Sequence, residues 1–387
     1  VDWIDGLALR FTYGYNGNVD KSTTFKPLVN ISSSPNTVTG ELTGSMSSYG
    51  NPTLRWERTG TWDIGVDFNL FRGKLYGKFD VYSKHSEDLI ADVTLSAVQG
   101  TTSMRLNNGE ILNRGFEMEV GSTLRISPNV TWNGVLTLSY NKNRIKSLQV
   151  KPTNAYDLVY VGGSTAWMEG YDMNTLWTYK YGGLQNVGTA SSPDWQPTIL
   201  HKSGLYETFA TWPTGDPMDC SYAMGTTVAP WNMSFSTSFR VYDFDISMIV
   251  TGKFGHKFLR ESFNYPSVSG RAVPNDKYSE VKNCDPNEMI PLPQNEIETR
   301  YYFWDRFYPY MSYLTESASH IRLQEFSVGY NLPKKVVAKI GMKSLQVYAQ
   351  CNNPFNIYFN GYGEDPEFAK GTIRLQASYT FGIKCKF

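Results

Sequence analysis

The sequence is poor in the residues that most often carry catalysis or metal binding. It has four Cys and four His among its 387 residues. The cysteines form no Cys-X-X-Cys pair, and the histidines are far apart in sequence and share no ligand spacing. No Ser-His-Asp arrangement, Cys-His pair or phosphate-binding loop is recognisable. The sequence therefore predicts a protein that is not an enzyme and that has no zinc or redox centre.

The sequence also lacks an excess of charge of either sign and any long apolar run. Thirty-six basic residues balance 36 acidic residues, so the basic footprint of a nucleic-acid-binding protein is missing and nucleic acid is not an expected partner. No stretch of about eighteen apolar residues occurs, which argues against a transmembrane helix. A transmembrane barrel stays possible, because one face of each of its strands is polar.

The few cysteines leave one alternative open. Cys220 and Cys284 lie in irregular stretches, where an extracytoplasmic disulfide between them is one possibility, since sequence alone does not fix connectivity. Cys351 and Cys385 fall on apolar faces of predicted strands, so we expect small buried or lipid-facing side chains there. No signal peptide precedes Val1, which is the pattern of a mature terminus or of a cut inside a longer chain.

The end of the chain alternates regularly between apolar and polar residues. Successive side chains of a strand point to opposite faces. One face carries Ile373, Leu375, Ala377, Tyr379, Phe381, Ile383, Cys385 and Phe387. Strands of soluble sandwiches usually need only about five or six residues. The length and the two unlike faces of this run are typical of a wall between lipid and water.

Similar alternating runs recur along the chain and together predict ten strands. They begin near Leu7, Arg55, Leu75, Phe116, Val130, Trp231, Phe244, Phe326, Leu345 and Ile373. The apolar phase slips between Leu323 and Phe326, which predicts a bulge near Gln324 and Glu325.

The connections between these strands alternate in length. Short reversals are predicted near residues 71–73, 126–129, 241–243 and 331–343. Long connections are predicted near residues 16–53, 91–111, 147–230, 255–320 and 356–370. Short turns at one end and long loops at the other are the usual connectivity of bacterial outer-membrane barrels. We therefore predict an all-β fold, a transmembrane antiparallel up-and-down β-barrel, with extracellular long loops and a periplasmic C-terminus.

Four motifs carry a resemblance beyond periodicity. They are Asn51–Glu57 (NPTLRWE), Asn113–Glu117 (NRGFE), Ile321–Pro333 and Ser378–Phe387, and supporting pieces stand at Trp3–Arg10, Leu176–Lys180, Lys253–His256 and Asn352–Phe355. Each motif alone is weak, but the ordered set is specific and covers nearly the whole chain. It resembles the SusC-like, or RagA-like, TonB-dependent transporters of Bacteroidetes outer membranes.

The resemblance implies a function and a set of partners. Members are outer-membrane importers that are energised through TonB and work with a SusD-like surface lipoprotein, and their substrates include oligosaccharides and oligopeptides. They also carry a plug domain and further strands before the point at which Val1 stands. Residues 1–387 would then be the C-terminal portion of a barrel of about 22 strands. The plug and the remaining barrel would be partners supplied from outside this chain.

Two other classes of protein are alternatives to this hypothesis. An outer-membrane adhesin or passive porin without energy coupling would have similar strands but no plug. A soluble sugar-binding all-β protein would be equally rich in aromatic residues, which make up 15% of the chain. The terminal aromatic strand and the one-sided long loops argue against a soluble protein.

Three groups of residues are candidate sites. An aromatic and charged patch in a long loop is a candidate for contact with substrate or with the lipoprotein, and it comprises Trp304, Asp305, Arg306, Tyr308 and Tyr310. Glu364, Asp365 and Glu367 are possible calcium ligands, although their spacing is not that of an EF-hand. The face of the last strand that ends at Phe387, with Tyr379, Phe381 and Ile383, is a candidate barrel-assembly signal, because a terminal strand can add to an exposed sheet edge.

Overall fold

Ten long strands form one antiparallel sheet in a computed structural model of the chain, which describes residues 3–19, 26–96, 98, 101, 103–186, 188–192, 195–208, 215–260, 308–339, 341–368 and 373–387. Each inner strand pairs with the long strands before and after it, so the sheet is a meander. The strands are β1 (Ile4–Asn18), β2 (Glu57–Leu70), β3 (Leu75–Thr94), β4 (Ser103–Ser127), β5 (Val130–Leu148), β6 (Trp231–Val241), β7 (Phe244–Phe254), β8 (His320–Asn331), β9 (Ser344–Tyr358) and β10 (Ser378–Lys386).

The two edge strands each have one neighbour. Within the described residues β1 pairs with β2 and β10 pairs with β9, and no pairing joins β1 to β10. The sheet is therefore open at both edges, as a part of a larger barrel would be.

The predicted bulge is confirmed. Ile249 of β7 lies opposite Glu325, whereas its neighbour Val250 lies opposite Leu323. Gln324 is therefore the extra residue in β8, and the ladder between β8 and β9 shifts at the same place.

Tight turns join the strands at one end of the sheet. Phe71, Arg72 and Gly73 have φ angles of 55°, 59° and 75°, and Tyr242 has a φ of 54°. Left-handed residues in such short links match the twist of the paired strands. The predicted reversal over residues 331–343 contains a short helix, α2 (Lys334–Lys339), which the alternation did not indicate.

The hairpin of β3 and β4 corrects one prediction. A long connection was expected over residues 91–111, but the ladder continues to the pair Thr94 and Ser103. Its distal part is supported by a small core in which Ala91 and Ile111 pack with Ile145, Leu148 and Trp167. Trp167 belongs to the connection after β5, so local periodicity could not predict this contact. The contact supports the part of β3 and β4 that extends beyond the rest of the sheet.

The last strand is shorter than predicted. Alternation runs from Ile373, but pairing with β9 begins at Ser378, which lies opposite Asn352. Asn353 follows with a φ of 50°, which interrupts regular extended backbone at that point.

The long connections contain short strands and one short helix, α1 (Pro217–Cys220). Paired short strands are Leu28–Ile31 with Gly44–Ser48, Thr175–Thr178 with Tyr222–Thr226, Lys257–Leu259 with Thr315–Ser317, and the three-stranded set Tyr181–Asn186, Trp195–Leu200 and Tyr206–Thr208. None of the described helices is long and apolar enough to cross a membrane.

Candidate functional site

The two faces of the sheet differ in polarity. On β1 the large apolar residues of one face are strongly exposed, among them Leu9 at 79% and Phe11 at 70%. The alternate positions place Arg10 and Thr12 on the opposite face. A wide apolar face on a large open sheet is the surface that lipid would cover.

A cross-strand ion pair lies on the polar face. Arg10 donates from Nε to Asp67 at 2.7 Å and from Nη2 to Asp80 at 2.8 Å. Gly65 lies between Arg10 and Asp80 in the register. A Cβ at Gly65 would be 2.2 Å from the Asp80 carboxylate. The missing side chain at Gly65 therefore gives these charges the room to meet across three strands.

A polar recess of about 510 Å³ occupies the same face near the tight turns. Its lining includes Asp245, whose carboxylate accepts from Arg240 at 2.8 Å, Asn331 at 2.8 Å and Gln346 at 3.1 Å. A face lined by hydrogen-bonded polar groups suits a water-filled passage or contact with a polar protein domain.

At the other end, the connection from β5 to β6 folds around a core of its own. We call the described residues of the range 149–230, together with residues 308–314 that pack against them, the cap. Tyr179, which has no exposed surface, lies at the centre of this core and donates from its hydroxyl to Ala155 O at 3.3 Å. Its main chain bonds to another connection, because Tyr179 N donates to Tyr310 O at 2.9 Å and Ser312 N donates to Tyr179 O at 2.7 Å. Two long connections are thus joined into one unit.

The predicted aromatic patch is only partly within the described residues. Trp304, Asp305 and Arg306 lie outside them, and Tyr308 begins a short 3-10 turn. Tyr310 packs against the cap core, and its ring centroid is 5.4 Å from that of Tyr160. Burial raises the pKa of Tyr310, with a further contribution from Tyr160.

Tyr160 extends this patch in a way that the sequence did not reveal. It is 41% exposed and stacks on Tyr156 with ring centroids 4.9 Å apart. Tyr156, Tyr160 and Tyr310 therefore form an aromatic row from two connections that are far apart in sequence. Role assignments for the patch stay predictions.

The last connection is closed onto the sheet by ion pairs, one of which, between Arg322 and Asp365, is buried. Arg322 of β8, which is 2% exposed, donates from Nη2 to Asp365 at 2.5 Å, and its Nε lies 2.9 Å from Glu367. Lys253 Nζ donates to Glu367 at 2.5 Å. We call residues 359–368 the closing loop, because these contacts hold it against β7 and β8.

The charges of the closing loop change the behaviour of its carboxylates. Burial alone would raise the pKa of Asp365 and of Glu367. Several contacts together more than offset burial: the hydrogen bond and charge of Arg322, with hydrogen bonds from Glu367 N and Tyr358, act on Asp365, and the hydrogen bond and charge of Lys253, with the charges of Arg322 and His320, act on Glu367. Both pKa values therefore lie below their usual range. Both groups are therefore carboxylates at neutral pH.

These contacts bear on the proposed calcium ligands. Glu364 lies 3.3 Å from Arg260, and Asp365 and Glu367 face Arg322 and Lys253. In the described part of the chain, no group of three or more His, Cys, Asp or Glu side chains could hold a metal ion. Calcium binding stays a prediction, and the observed partners of these carboxylates are cations of the protein itself.

Two histidines that looked unrelated in the sequence come together beside the closing loop. The ring centroids of His256 and His320 are 6.0 Å apart. Burial lowers the pKa of His256 to about 4, and His320 and Lys253 contribute to the shift. Sequence spacing could not reveal this pair, because the residues are separated by the whole connection between β7 and β8.

A third histidine holds part of the cap together. His201 is 3% exposed, with Nδ1 3.1 Å from Asp219 and Nε2 3.0 Å from Glu207. Next to it, Cys220 is buried, and burial raises the pKa of its thiol to about 11. Cys284 lies outside the described residues, so the disulfide stays a prediction.

The candidate assembly signal lies on the outer edge of the sheet. Tyr379 is 69% exposed, Phe381 80%, Ile383 65% and Phe387 73%. The free edge of β10 and this exposed apolar face are both available to a partner strand. The geometry suits strand addition, and the assembly role stays a prediction.

Comparison with known proteins decides the family. A family model described as TonB dependent receptor-like, beta-barrel matches residues 1–353. The chain belongs to the TonB-dependent receptor-like β-barrel family. Such barrels are proteins of the bacterial outer membrane and are transport proteins, not enzymes, so the polar face is the lumen wall and the apolar face meets lipid.

Relatives of this TonB-dependent receptor-like barrel come from Bacteroidetes. TonB-dependent receptor P26 of Formosa agariphila is 27% identical over 90% of the chain and 35% of its own length. TonB-dependent receptor SusC of Bacteroides thetaiotaomicron is 25% identical over 96% of the chain and 36% of its own length. The chain thus spans about a third of the length of these relatives.

A solved structure confirms the fold. The RagAB peptide transporter superposes with a TM-score of 0.72 over 100% of this chain and 41% of the other, at 20% identity. The same importer in a closed-closed state gives 0.66 over 92% of this chain. The resemblance to SusC-like and RagA-like proteins is therefore confirmed at the level of family and fold.

Proposed function

We propose that this chain forms the C-terminal wall of a TonB-dependent outer-membrane importer that takes up oligosaccharides or oligopeptides. The observation that carries the proposal is the asymmetry of the sheet. Its lumen wall is polar and ion-paired, its outer wall is apolar, and its long connections are joined into a folded cap at one end only. Such a wall serves passage of a large polar solute under control of a gate.

The orientation belongs to the same proposal. We place the long connections outside the cell and the tight turns in the periplasm, in accordance with the usual wiring of outer-membrane barrels. The C-terminal Phe387 then faces the periplasm, and energy reaches the barrel through TonB and a plug domain. The plug and the missing barrel strands are partners of this chain, because a barrel of about 22 strands holds a plug whereas ten strands leave no room for one.

A SusD-like surface lipoprotein is the partner proposed for the cap. Exposed aromatic and aliphatic side chains on the cap support this contact, including Tyr160, Val161, Leu205, Tyr206 and Tyr313. Large exposed apolar patches on otherwise polar loops commonly mark protein interfaces. The lipoprotein would cover the passage and present substrate to it.

Uptake measurements test the proposal. Cells carrying the full-length transporter are compared with a deletion strain on labelled oligosaccharide and oligopeptide mixtures, with and without an uncoupler of the proton-motive force. Uptake of one class that requires both the gene and the energised inner membrane supports the importer. Equal uptake after uncoupling would favour a passive porin, and absence of uptake with retained surface binding would favour an adhesin.

The lipoprotein contact has its own test. Replacing Tyr160 and Tyr313 by Ser should lower the amount of lipoprotein that co-purifies with the transporter. Replacing Tyr242, which is 69% exposed in a tight turn at the opposite end, is the matched control and should leave it unchanged. An unchanged amount with both sets of variants would count against a lid on this surface.

A further inference from the structure

The outer wall carries a belt of aromatic rings near the cap end of the sheet. Tyr140 and Trp231 have ring centroids 4.5 Å apart, and Phe116 lies 6.1 Å from Tyr140 and 5.7 Å from Trp231. Trp231 is the first residue of β6, which has 11 residues. Because a tilted strand of about 9–11 residues crosses the hydrocarbon core, Trp231 lies at its boundary. Aromatic belts occupy that level.

Three cations follow directly above this belt on the same outward face. Arg114 stands two residues beyond Phe116 toward the cap, and Lys142 and Arg144 stand two and four residues beyond Tyr140. All three side chains are exposed. Arg114 lies directly opposite Lys142 in the register of β4 and β5. Like charges in directly opposed positions destabilise a sheet, so this arrangement needs an anion that is not part of the pair.

The cations have no acidic partner within 4 Å among the described residues, unlike most charged groups around them. On the same outward face Arg58 pairs with Glu87, and His85 lies 3.6 Å from Glu110. The lumen charges Arg10 and Lys78 are also paired with carboxylates. The three cations Arg114, Lys142 and Arg144 are therefore a distinct group, which we call the basic triad.

A cavity of about 530 Å³ opens beside the basic triad. Tyr140, Lys142 and Arg144 line one wall, and the cap backbone at Gly170 and Gly225 lines the other. Asp172 also faces this cavity, but its carboxylate already accepts from Asn174 N at 2.7 Å and from Thr226 at 3.3 Å.

The backbone explains why the cavity exists. Beyond Tyr140, β5 is no longer paired with β6, and the cap bonds to its backbone instead. Asn141 N donates to Pro230 O at 3.0 Å, and Ile145 N donates to Tyr171 O at 2.9 Å. Between these points the described cap residues form no backbone–backbone bond with β5 and are held by a side chain, because Met173 N donates to Asn143 Oδ1 at 2.9 Å. The result is a cleft with an aromatic floor at the lipid boundary and cations at the height of the headgroups.

We propose that the basic triad and this cleft bind the phosphorylated headgroup of a glycolipid of the outer leaflet, of the lipid A type. Arg and Lys are the residues that bind phosphate oxygens most strongly, and the aromatic floor suits the sugar rings that carry the phosphates. The middle position of β4 and β5 keeps the site away from both open edges, so strand partners would not cover it. The inference rests on the orientation given under the proposed function.

Binding to the purified full-length transporter in nanodiscs tests the site. The probes are diphosphoryl lipid A, its dephosphorylated form and phosphatidylglycerol, with native mass spectrometry to count bound lipids. We expect the triple variant Arg114→Gln, Lys142→Gln, Arg144→Gln to bind diphosphoryl lipid A about a hundredfold more weakly, from about fivefold for each surface cation. The matched control changes three exposed lysines of α2, Lys334, Lys335 and Lys339, to Gln and should bind as the wild type does.

Each other outcome decides against the site. Equal affinity of the triple variant and the wild type for diphosphoryl lipid A would overturn the proposal, as would equal affinity of the wild type for dephosphorylated lipid A or for phosphatidylglycerol. Heat-modifiable mobility checks folding. If the triple variant fails to fold, the single variant Lys142→Gln, with an expected loss of about fivefold, and the wild-type comparison of the three lipids still decide.

Orientation and transport are measured separately in the same cells. A Val38→Cys variant should react with an impermeant reagent on intact cells, because Val38 is 91% exposed in the long connection between β1 and β2, outside the proposed lipoprotein contact. Labelling together with unchanged lipid binding in the triple variant refutes the lipid site alone. Absence of labelling refutes the orientation, and with it the placement of the site in the outer leaflet.

Discussion

Ion pairs among the described residues differ in burial, and their energetic roles differ accordingly. The pair of Arg10 and Asp67 has side chains that are 41% and 43% exposed, whereas the side chains of Arg322 and Asp365 are 3% and 2% exposed. Exposed pairs contribute at most about 1 kcal/mol. Removing one partner of a buried pair costs about 3–5 kcal/mol, because the other charge is left without compensation.

Arg322→Met should therefore release the closing loop. Asp365 would remain buried without its cation, and we expect the opening free energy of residues 359–368 to fall by about 3 kcal/mol or more. Hydrogen exchange of these residues measures it. Arg10→Met is the control and should leave exchange of the closing loop unchanged. Wild-type protection in the Arg322 variant would show that other contacts hold the loop.

The closed state of the closing loop should also become less stable as the pH falls. His256 has a pKa of about 4 in the folded state because it is buried, and about 6.5 when it is exposed. The open state therefore binds the proton first, so stability of the closed state falls as the pH drops from about 6.5 to 4 and the loss from this group levels off below that. The groups around His256 are His320, Lys253 and Glu367.

Exchange of residues 359–368 at pH 7.5, 6 and 5 measures this dependence. A His256→Gln variant removes the titrating group and should lose much less protection between pH 7.5 and 5 than the wild type does. Further loss is expected in both proteins as the pH falls below about 4.5, because the pKa values of Asp365 and Glu367 are lowered in the closed state and their carboxylates therefore take up protons first in the open state. Identical profiles above pH 5 would exclude His256 as the cause.

The sequence could not predict which cations contact the carboxylates of the closing loop. Glu364, Asp365 and Glu367 were recognised as a group, but their partners Arg260, Arg322 and Lys253 come from other parts of the chain. A carboxylate cluster without EF-hand spacing is more often a solvated loop than a metal site, and the sequence does not show which cations lie beside it. The fold brings these cations to it.

At the scale of elements, alternation predicted what the bilayer imposes. All ten long strands were expected, and so was the bulge at Gln324, because one face must be apolar and the other polar along the whole span. The predictions went wrong where other contacts take over. The β3–β4 hairpin extends because Ile111 packs on the cap, and β10 begins late because Asn353 interrupts the strand beside it.

The last strand carries a prediction of its own. Deletion of Phe387 should sharply reduce the amount of full-length barrel that reaches the outer membrane, because the terminal residue is part of the edge that a partner strand recognises. Phe244→Ala is the matched control, since Phe244 is a 44% exposed aromatic residue at the same end of the sheet. Loss of one such ring should cost only modest stability.

Abundance and heat-modifiable mobility in outer-membrane fractions separate the two roles of Phe387. An assembly signal predicts a large loss for the deletion and near-normal abundance for Phe244→Ala. Equal, small effects of both changes would place Phe387 with the other aromatic residues of the membrane boundary and end the assembly hypothesis.

At the scale of the whole molecule, we propose that strands outside this chain complete the sheet. The ten-strand meander is open at both edges. The chain covers 36% of the length of SusC and 41% of the RagAB transporter chain. The sequence predicts a larger barrel only through a family resemblance. Alternation alone could not, because a periodic pattern gives the face of each strand but not the number of strands that close the barrel.

We therefore expect insertion into the membrane to require strand partners at both edges. The backbone groups on the free sides of β1 and β10 would otherwise lie unpaired in hydrocarbon, where each costs several kcal/mol. Residues 1–387 expressed alone with a signal peptide should fail to form a heat-modifiable, protease-resistant barrel. The full-length transporter is the control, and co-expression of its remaining portion as a separate polypeptide should restore folding by pairing both edges. A stable ten-stranded barrel formed by this chain alone would instead mean that β1 and β10 can pair with each other, and the larger barrel would no longer be needed.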